Sequence, residues 1–190
     1  IISLQKLTKK LLKERHKRKA LEIDSAEPVL KFDNKDVISE ISLPKRLFAH
    51  QMIEEAMISA NICAAKFIKK HLGFGVYRVH EEPENLKIEN LKKFFSLKGL
   101  SSKSFSDSLE LINGFIGHVN KNEENKMLNI LILQSLKRAQ YSTNEIGHFG
   151  LQLKEYSHFT SPIRRYPDLI SHRLIKNILN KKITTQSKEN

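Results

Sequence analysis

Cysteine is almost missing from this sequence. Cys63 stands alone in 190 residues, which excludes an intramolecular disulfide and fits a reducing compartment, expected to be the cytoplasm. No apolar run approaches the length of a membrane span, and the lysines scattered through the first residues do not make a signal peptide. No segment repeats. Eight histidines are present, yet none falls in an HExxH pattern or a Cys/His zinc spacing, so metal binding through histidine is not expected. On its Ala-rich stretch, Cys63 reads as a small core residue. Acid is scarce relative to base: 33 Lys and Arg face 21 Asp and Glu, a net charge of +12. Such an excess attracts polyanions non-specifically, with an affinity that falls steeply as salt rises. Charge alone does not separate RNA, DNA and anionic membrane.

What is present reads as mostly helix with short strands, a helix-rich α+β chain. The first 19 residues place Leu4, Leu7 and Leu11 on one helical face. Lys6, Lys9, Lys10, Lys13, Arg15, Lys17, Arg18 and Lys19 supply a basic surface, read as an RNA track, a lipid-facing helix or simply a solvated face. Val29–Phe32 and Val37–Ile41 flank Asp33-Asn34-Lys35-Asp36 and predict a hairpin. A long helix is expected over 45–71, ending near Gly73, then a strand over 74–79 and a helix over 87–98 closed by Gly99. Asp107 with Glu110 predicts a capping box, 124–141 another helix, and 147–153 a strand with Phe149, Leu151 and Leu153 on one face. The tail 181–190 is polar and expected to fray.

The run YSHFTSPIRRYPDLISHR, residues 156–173, concentrates the chemistry. Ser161 followed by Pro162 is a helix-start signal, and Leu169, Ile170, Leu174 and Ile178 repeat at helical spacing behind it. Arg164 and Arg165 then fall in the first turn, where the helix dipole disfavours cations unless an anion joins them. Free N–H groups and two guanidinium forks suit a phosphate oxygen, although Asp168 could instead neutralise the arginines as a surface cap. Residues Glu54 and Asn61 lie seven apart, on one face of the long helix among Met57, Ile58 and Ala65. A carboxylate and an amide there need partners. A ribose 2′-OH is one candidate; a surface Glu beside a structural Asn is the plainer reading. A nuclease needs clustered carboxylates to hold Mg²⁺. Here Asp33 and Asp36 sit in a turn, and Glu54 and Glu55 are expected to point to different faces.

The string GHFGLQLKEYSHFTSPIRRYPDLISHRLIK, residues 147–176, resembles the C-terminal signature of the catalytic RNB domain of the ribonuclease II/ribonuclease R exoribonucleases. IEEAMISANICAAKFIKKHLGFGVYRVHEEP, residues 53–83, resembles the preceding helix and strand of that domain. The resemblance implies that residues 1–180 are the C-terminal part of an RNB domain, followed by the polar tail. It implies a processive, Mg²⁺-dependent 3′→5′ exoribonuclease that hydrolyses single-stranded RNA to nucleoside 5′-monophosphates, monomeric when intact. Arg164 is then the phosphate-gripping arginine and Glu54 the ribose reader. His158, Thr160, Ser161 and Arg165 would position backbone phosphates, with Asn61 beside Glu54. The family's Mg²⁺-binding aspartates and active-site tyrosine are expected upstream of Ile1, a further catalytic glutamate beyond Asn190, and cold-shock and S1 RNA-binding domains elsewhere. No metal ligand is expected in this chain, and it is expected to be inactive alone. Where many relatives carry a base-stacking aromatic after Ala20–Glu22, this chain has Ile23. A non-catalytic RNA-binding module and a basic membrane- or partner-binding protein remain as alternatives.

Overall fold

A computed structural model describes residues 2–23, 29–42, 46–99, 105–121 and 128–182. In order these form α1 (Ile2–Lys17), β1 (Val29–Phe32), β2 (Ile38–Ser42), α2 (Phe48–Leu72), β3 (Tyr77–Val79), α3 (Asn85–Leu97), α4 (Ser108–Val119), α5 (Asn129–Ser135), β4 (Gln140–Ser142) and α6 (Tyr166–Leu179). The α+β, helix-rich class with short antiparallel strands is the one the sequence predicts.

Two packing centres organise these elements. The larger lies among α3, α4 and α5, where an apolar face from each helix meets around Phe95, Leu111, Ile112, Phe115, Val119 and Ile132. Phe95 and Phe115 stack at 3.9 Å. Gly114 lets the Phe105 ring lie against α4, since a Cβ there would meet that ring at 2.3 Å. Asp107 caps α4 by accepting from the Glu110 N–H at 2.8 Å, half of the predicted capping box. The Glu110 carboxylate turns instead to the Ser106 N–H and hydroxyl. The smaller centre packs Ala65 of α2 against Tyr77 and Val79 of β3. α2 stops where predicted: Gly73 adopts φ 73°, which costs glycine little, and its N–H closes the helix on the Lys69 carbonyl at 2.7 Å.

β3 is paired on both sides. β4 runs antiparallel to it, with Arg78 opposite Tyr141. Further along, the N–H groups of Arg78 and His80 donate to the carbonyls of Tyr156 and Gly147, at 2.8 and 3.0 Å. This double pairing lays the 147–156 segment beside α2. The predicted hairpin forms with β2 starting one residue late. Its apolar pairs, Leu30 opposite Ile41 and Phe32 opposite Ile38, stay exposed.

Several expectations are corrected. The helix over 124–141 is confined, among the described residues, to α5. Leu136 turns extended and Gln140–Ser142 supplies the edge that β3 requires, while 124–127 and 183–190 lie outside the described residues. The strand over 147–153 is a single 3₁₀ turn at Phe149–Leu151, because the rings of His80 and His148 accept the N–H groups of Gly150 and Leu151. Cys63 is exposed rather than core: α2 buries the stripe Ile58, Asn61, Ala65, Ile68 and Leu72, and position 63 points away from it. On α1, Leu4 and Leu7 are exposed, whereas Arg15 is 6 % exposed and buried against α2.

Candidate nucleic-acid interface

The segment from Tyr156 to Arg165 crosses between α2 and α6 as irregular backbone, and both helices hold it. Asn61, 3 % exposed on α2, accepts from the N–H groups of Phe159 and Thr160 at 2.9 and 3.3 Å through Oδ1. Its Nδ2 donates to the Tyr156 hydroxyl at 3.0 Å. From α6, the Ser171 hydroxyl lies 3.1 Å from the His158 carbonyl, and the His172 ring nitrogen 2.8 Å from that of Phe159, with the two rings stacked at 4.1 Å. Asp168, wholly buried, accepts from the Ser161 N–H and from Arg165 Nη2, each at 2.7 Å.

The helix does not begin at Ser161. Residues Pro162–Arg164 form a turn closed by the Ser161 carbonyl, and α6 starts at Tyr166 with extended Arg165 as its cap residue. Pro167 dictates this: in a helix begun at residue 162 its ring would strike the Ile163 carbonyl, and it has no N–H to offer that carbonyl. The two arginines therefore differ by more than a helical rotation. Arg165 is drawn in to Asp168, as the surface-cap reading anticipated for the pair. Arg164 is exposed and, among the described residues, has no ion-pair partner.

Three of the residues singled out in the sequence share one cavity of about 510 Å³. Glu54, Asn61 and Arg165 line it with His50, Met57, Ile58, Leu151 and Tyr156. Arg164, His158, Thr160 and Ser161 are not among its lining residues. Glu54 does not diverge from Glu55 as the helix pattern suggested, because Nη1 of Arg15 sits 2.8 Å from a carboxylate oxygen of each. Arg46 takes the other Glu54 oxygen. Burial pushes the Glu54 carboxyl upward, but hydrogen bonds from Arg15 and Arg46 outweigh it and hold the group below the ordinary carboxylate value.

Behind the loop runs a chain of edge-on rings, His80, His148, Tyr156, His158 and Tyr141, with centroids 5.0 to 5.8 Å apart. Arg78 lies 4.8 Å over the Tyr141 ring. His158 bonds the Tyr141 hydroxyl at 2.8 Å. Burial, reinforced by the Arg165 charge, lowers its pKa to about 4; burial and His80 do the same for His148. Both are therefore neutral at pH 7, and His158 offers a phosphate no charge. The sequence did not reveal Tyr141, Arg78 or Arg15, whose roles arise from pairing distant in the chain.

Two outcomes are expected here. Asn61→Ala removes three hydrogen bonds and strands two loop N–H groups, so it should lower stability by about 2 kcal/mol in urea unfolding at pH 7. For the histidines, the unfolded chain takes up protons near pH 6.5 that the fold refuses until about 4. Their contribution is therefore present above 6.5 and lost as pH falls toward 4. Urea midpoints at pH 7 and 5 check this: the midpoint should drop at pH 5, and less so in His148→Phe.

The sequence matches the RNB domain over residues 1–181, and the chain belongs to that family. It is 39 % identical over 178 residues to ribonuclease R of Vibrio parahaemolyticus, covering 90 % of this chain and 21 % of that protein. It is 40 % identical over 180 residues to ribonuclease R of Thermotoga maritima, covering 93 % and 25 %. The chain thus spans a fifth to a quarter of the length of these relatives. Among solved structures, Mycoplasma genitalium RNase R in complex with ribose-methylated single-stranded RNA superposes with a TM-score of 0.84 at 28 % identity, over 97 % of this chain and 29 % of that one. Yeast Ssd1, a pseudonuclease, superposes with a TM-score of 0.61 at 26 % identity, over 74 % of this chain and 18 % of that one.

Proposed function

We propose that this chain is the RNA-gripping part of a 3′→5′ exoribonuclease that hydrolyses single-stranded RNA to nucleoside 5′-monophosphates. The observation that carries the reading is Arg164, a guanidinium without an ion-pair partner among the described residues, on a loop whose backbone is tied to α2 and α6. An exposed, preorganised cation suits a phosphoryl group whose oxygens gain charge as water attacks phosphorus and the 3′-oxygen leaves. Arg165 acts on the loop through Asp168, while Glu54 faces the ribose from the cavity wall. Ser161 and Thr160 hold the turn through their N–H groups, and His158 acts as a neutral hydrogen-bonding group. The protein works in the cytoplasm as a monomer.

Mg²⁺ would neutralise phosphate charge in such a reaction. Among the described residues no group of three His, Cys, Asp or Glu could hold a metal ion, so the residues present do not fit it. Its ligands belong to other parts of an RNB enzyme, as do the RNA-binding domains. This chain alone should release no 5′-monophosphates from end-labelled poly(A) with Mg²⁺, while still binding single-stranded RNA. Processive release by the pure chain would contradict the division of labour. A structural neighbour that is a pseudonuclease supports a second reading as a non-catalytic RNA-binding module. Supplying the remaining RNB segment in trans separates the two: hydrolysis is restored only under the first. Among the described residues no helix is long and apolar enough to cross a membrane. Anionic vesicles should compete poorly with RNA.

A further inference from the structure

Arg15 is the one residue of the basic α1 that is both charged and buried, at 6 % exposure. Its Nη1 lies 2.8 Å from Oε1 of Glu54 and 2.8 Å from Oε1 of Glu55. Glu55, itself buried, matches Arg15 charge for charge, and Glu22 lies 3.6 Å from the Arg15 Nε, on the side away from Nη1. Glu54 is the surplus partner. It is half-exposed and lines the cavity that also holds Asn61, Tyr156 and Arg165. Adjacent carboxylates meeting at a single nitrogen would repel one another without the guanidinium between them. The second cation on Glu54, Arg46, is exposed and exchangeable with water, whereas Arg15 is fixed by burial.

We propose that Arg15 is a positioning residue for sugar recognition: it fixes the Glu54 carboxylate as an ionised, acceptor-only group aimed into the cavity, where a ribose 2′-OH can donate to it. The inference rests on the reading of Glu54 as the ribose reader. A protonated or freely swinging Glu54 would lose the preference, because a carboxylic acid donates as well as accepts. The charged or titratable groups facing Glu54 are Arg15 on α1, Arg46 ahead of α2, Glu55 on α2, and His50, Tyr156 and Arg165 around the cavity.

The test measures affinity of the 190-residue chain for oligo(rA) and oligo(dA) of equal length by fluorescence anisotropy, from pH 5 to 8. Glu54→Gln should lower the ribo/deoxy ratio about tenfold, the scale of one hydrogen bond to a charged group. Arg15→Lys keeps a cation for Glu55 but loses the rigid, planar guanidinium whose Nη1 is held between both acids, so a flexible ammonium no longer fixes Glu54 in one orientation. It should lower the ratio by most of that factor and make it fall further toward pH 5 than in the unmodified chain. Glu55→Gln should leave the ratio intact. If Arg15→Lys preserves both the ratio and its pH profile while Glu54→Gln lowers it, the proposal fails and Glu54 remains the ribose reader. An unchanged ratio in Glu54→Gln overturns that reading and this one with it. A loss in Glu55→Gln equal to that in Arg15→Lys makes helix docking the cause and also overturns the proposal. Should Arg15→Lys not fold, the unmodified chain decides: the Glu54 carboxyl carbon, followed by NMR, should titrate below a free glutamate in the same buffer, and a midpoint at or above that of the free glutamate overturns the assignment.

Discussion

Replacing Asp168 by alanine is expected to cost the fold about 3–5 kcal/mol, the scale seen when one partner of a buried ion pair is removed. The Asp168 carboxylate is wholly buried and accepts from the Ser161 N–H and the Arg165 guanidinium through one oxygen. Its loss leaves the largely buried Arg165 without a counter-charge and the loop N–H without an acceptor. Asp168→Asn keeps an acceptor for Ser161 but not the charge, and should fall between alanine and the unmodified chain. Urea unfolding at pH 7 reads both. A cost under about 1 kcal/mol for alanine, the size of an exposed pair, would mean that the loop is held by Asn61, Ser171 and His172 without Asp168.

The second large effect concerns chemistry. In an intact exoribonuclease carrying this segment, Arg164→Lys should lower kcat about 10²–10³-fold, the range for removal of one transition-state donor. Charge survives the substitution, but the planar fork that can donate twice to a phosphoryl group does not. Arg165→Lys should act differently. Arg165 already donates to Asp168, so lysine there should weaken the loop and lower RNA affinity, leaving single-turnover chemistry at saturating RNA within severalfold. A larger kcat loss at Arg165 than at Arg164 would reverse the assignment. In the sequence, one helical turn for both arginines implied only that one of them faces a phosphate, and the family resemblance selected Arg164. The ranking now rests on Arg165 being ion-paired and Arg164 having no ion-pair partner among the described residues.

Legibility in the sequence followed the range of the interaction. Local signals served well where local forces dominate. Gly73 marked the end of α2, Asp107 the start of α4, and alternation around Asp33–Asp36 the hairpin. Asn61 stood out as an amide on an apolar stripe, and its partners proved to be loop backbone. The start of α6 was misread although the correcting signal was present, since Pro167 forbids a helix running through Ile163. The strand expected at 147–153 failed for a non-local reason. Alternating Phe149 and Leu151 suited an extended chain, but ring acceptors at His80 and His148 took the N–H groups and bent it into a turn. Arg15 was invisible as anything but one more basic residue, because the acids it hydrogen-bonds, Glu54 and Glu55, lie about 40 positions away and only helix packing joins them. The basic count of the first 19 residues likewise overstated their free charge. Arg15 and Arg18 are committed to Glu54, Glu55 and the Leu151 carbonyl, and Lys19 to Glu110. Lys6, Lys9, Lys10, Lys13 and Lys17 remain exposed.

The central claim, that Arg164 grips an RNA phosphate, is tested most directly by the salt dependence of single-stranded RNA binding to the 190-residue chain. Each phosphate neutralised contributes about 0.7 to the slope of log K against log salt for a single strand. Arg164→Ala is expected to reduce that slope by about 0.7 and to weaken binding, with the urea midpoint unchanged because the side chain has no ion-pair partner among the described residues. A slope identical to that of the unmodified chain, in a variant of equal stability, would contradict the account.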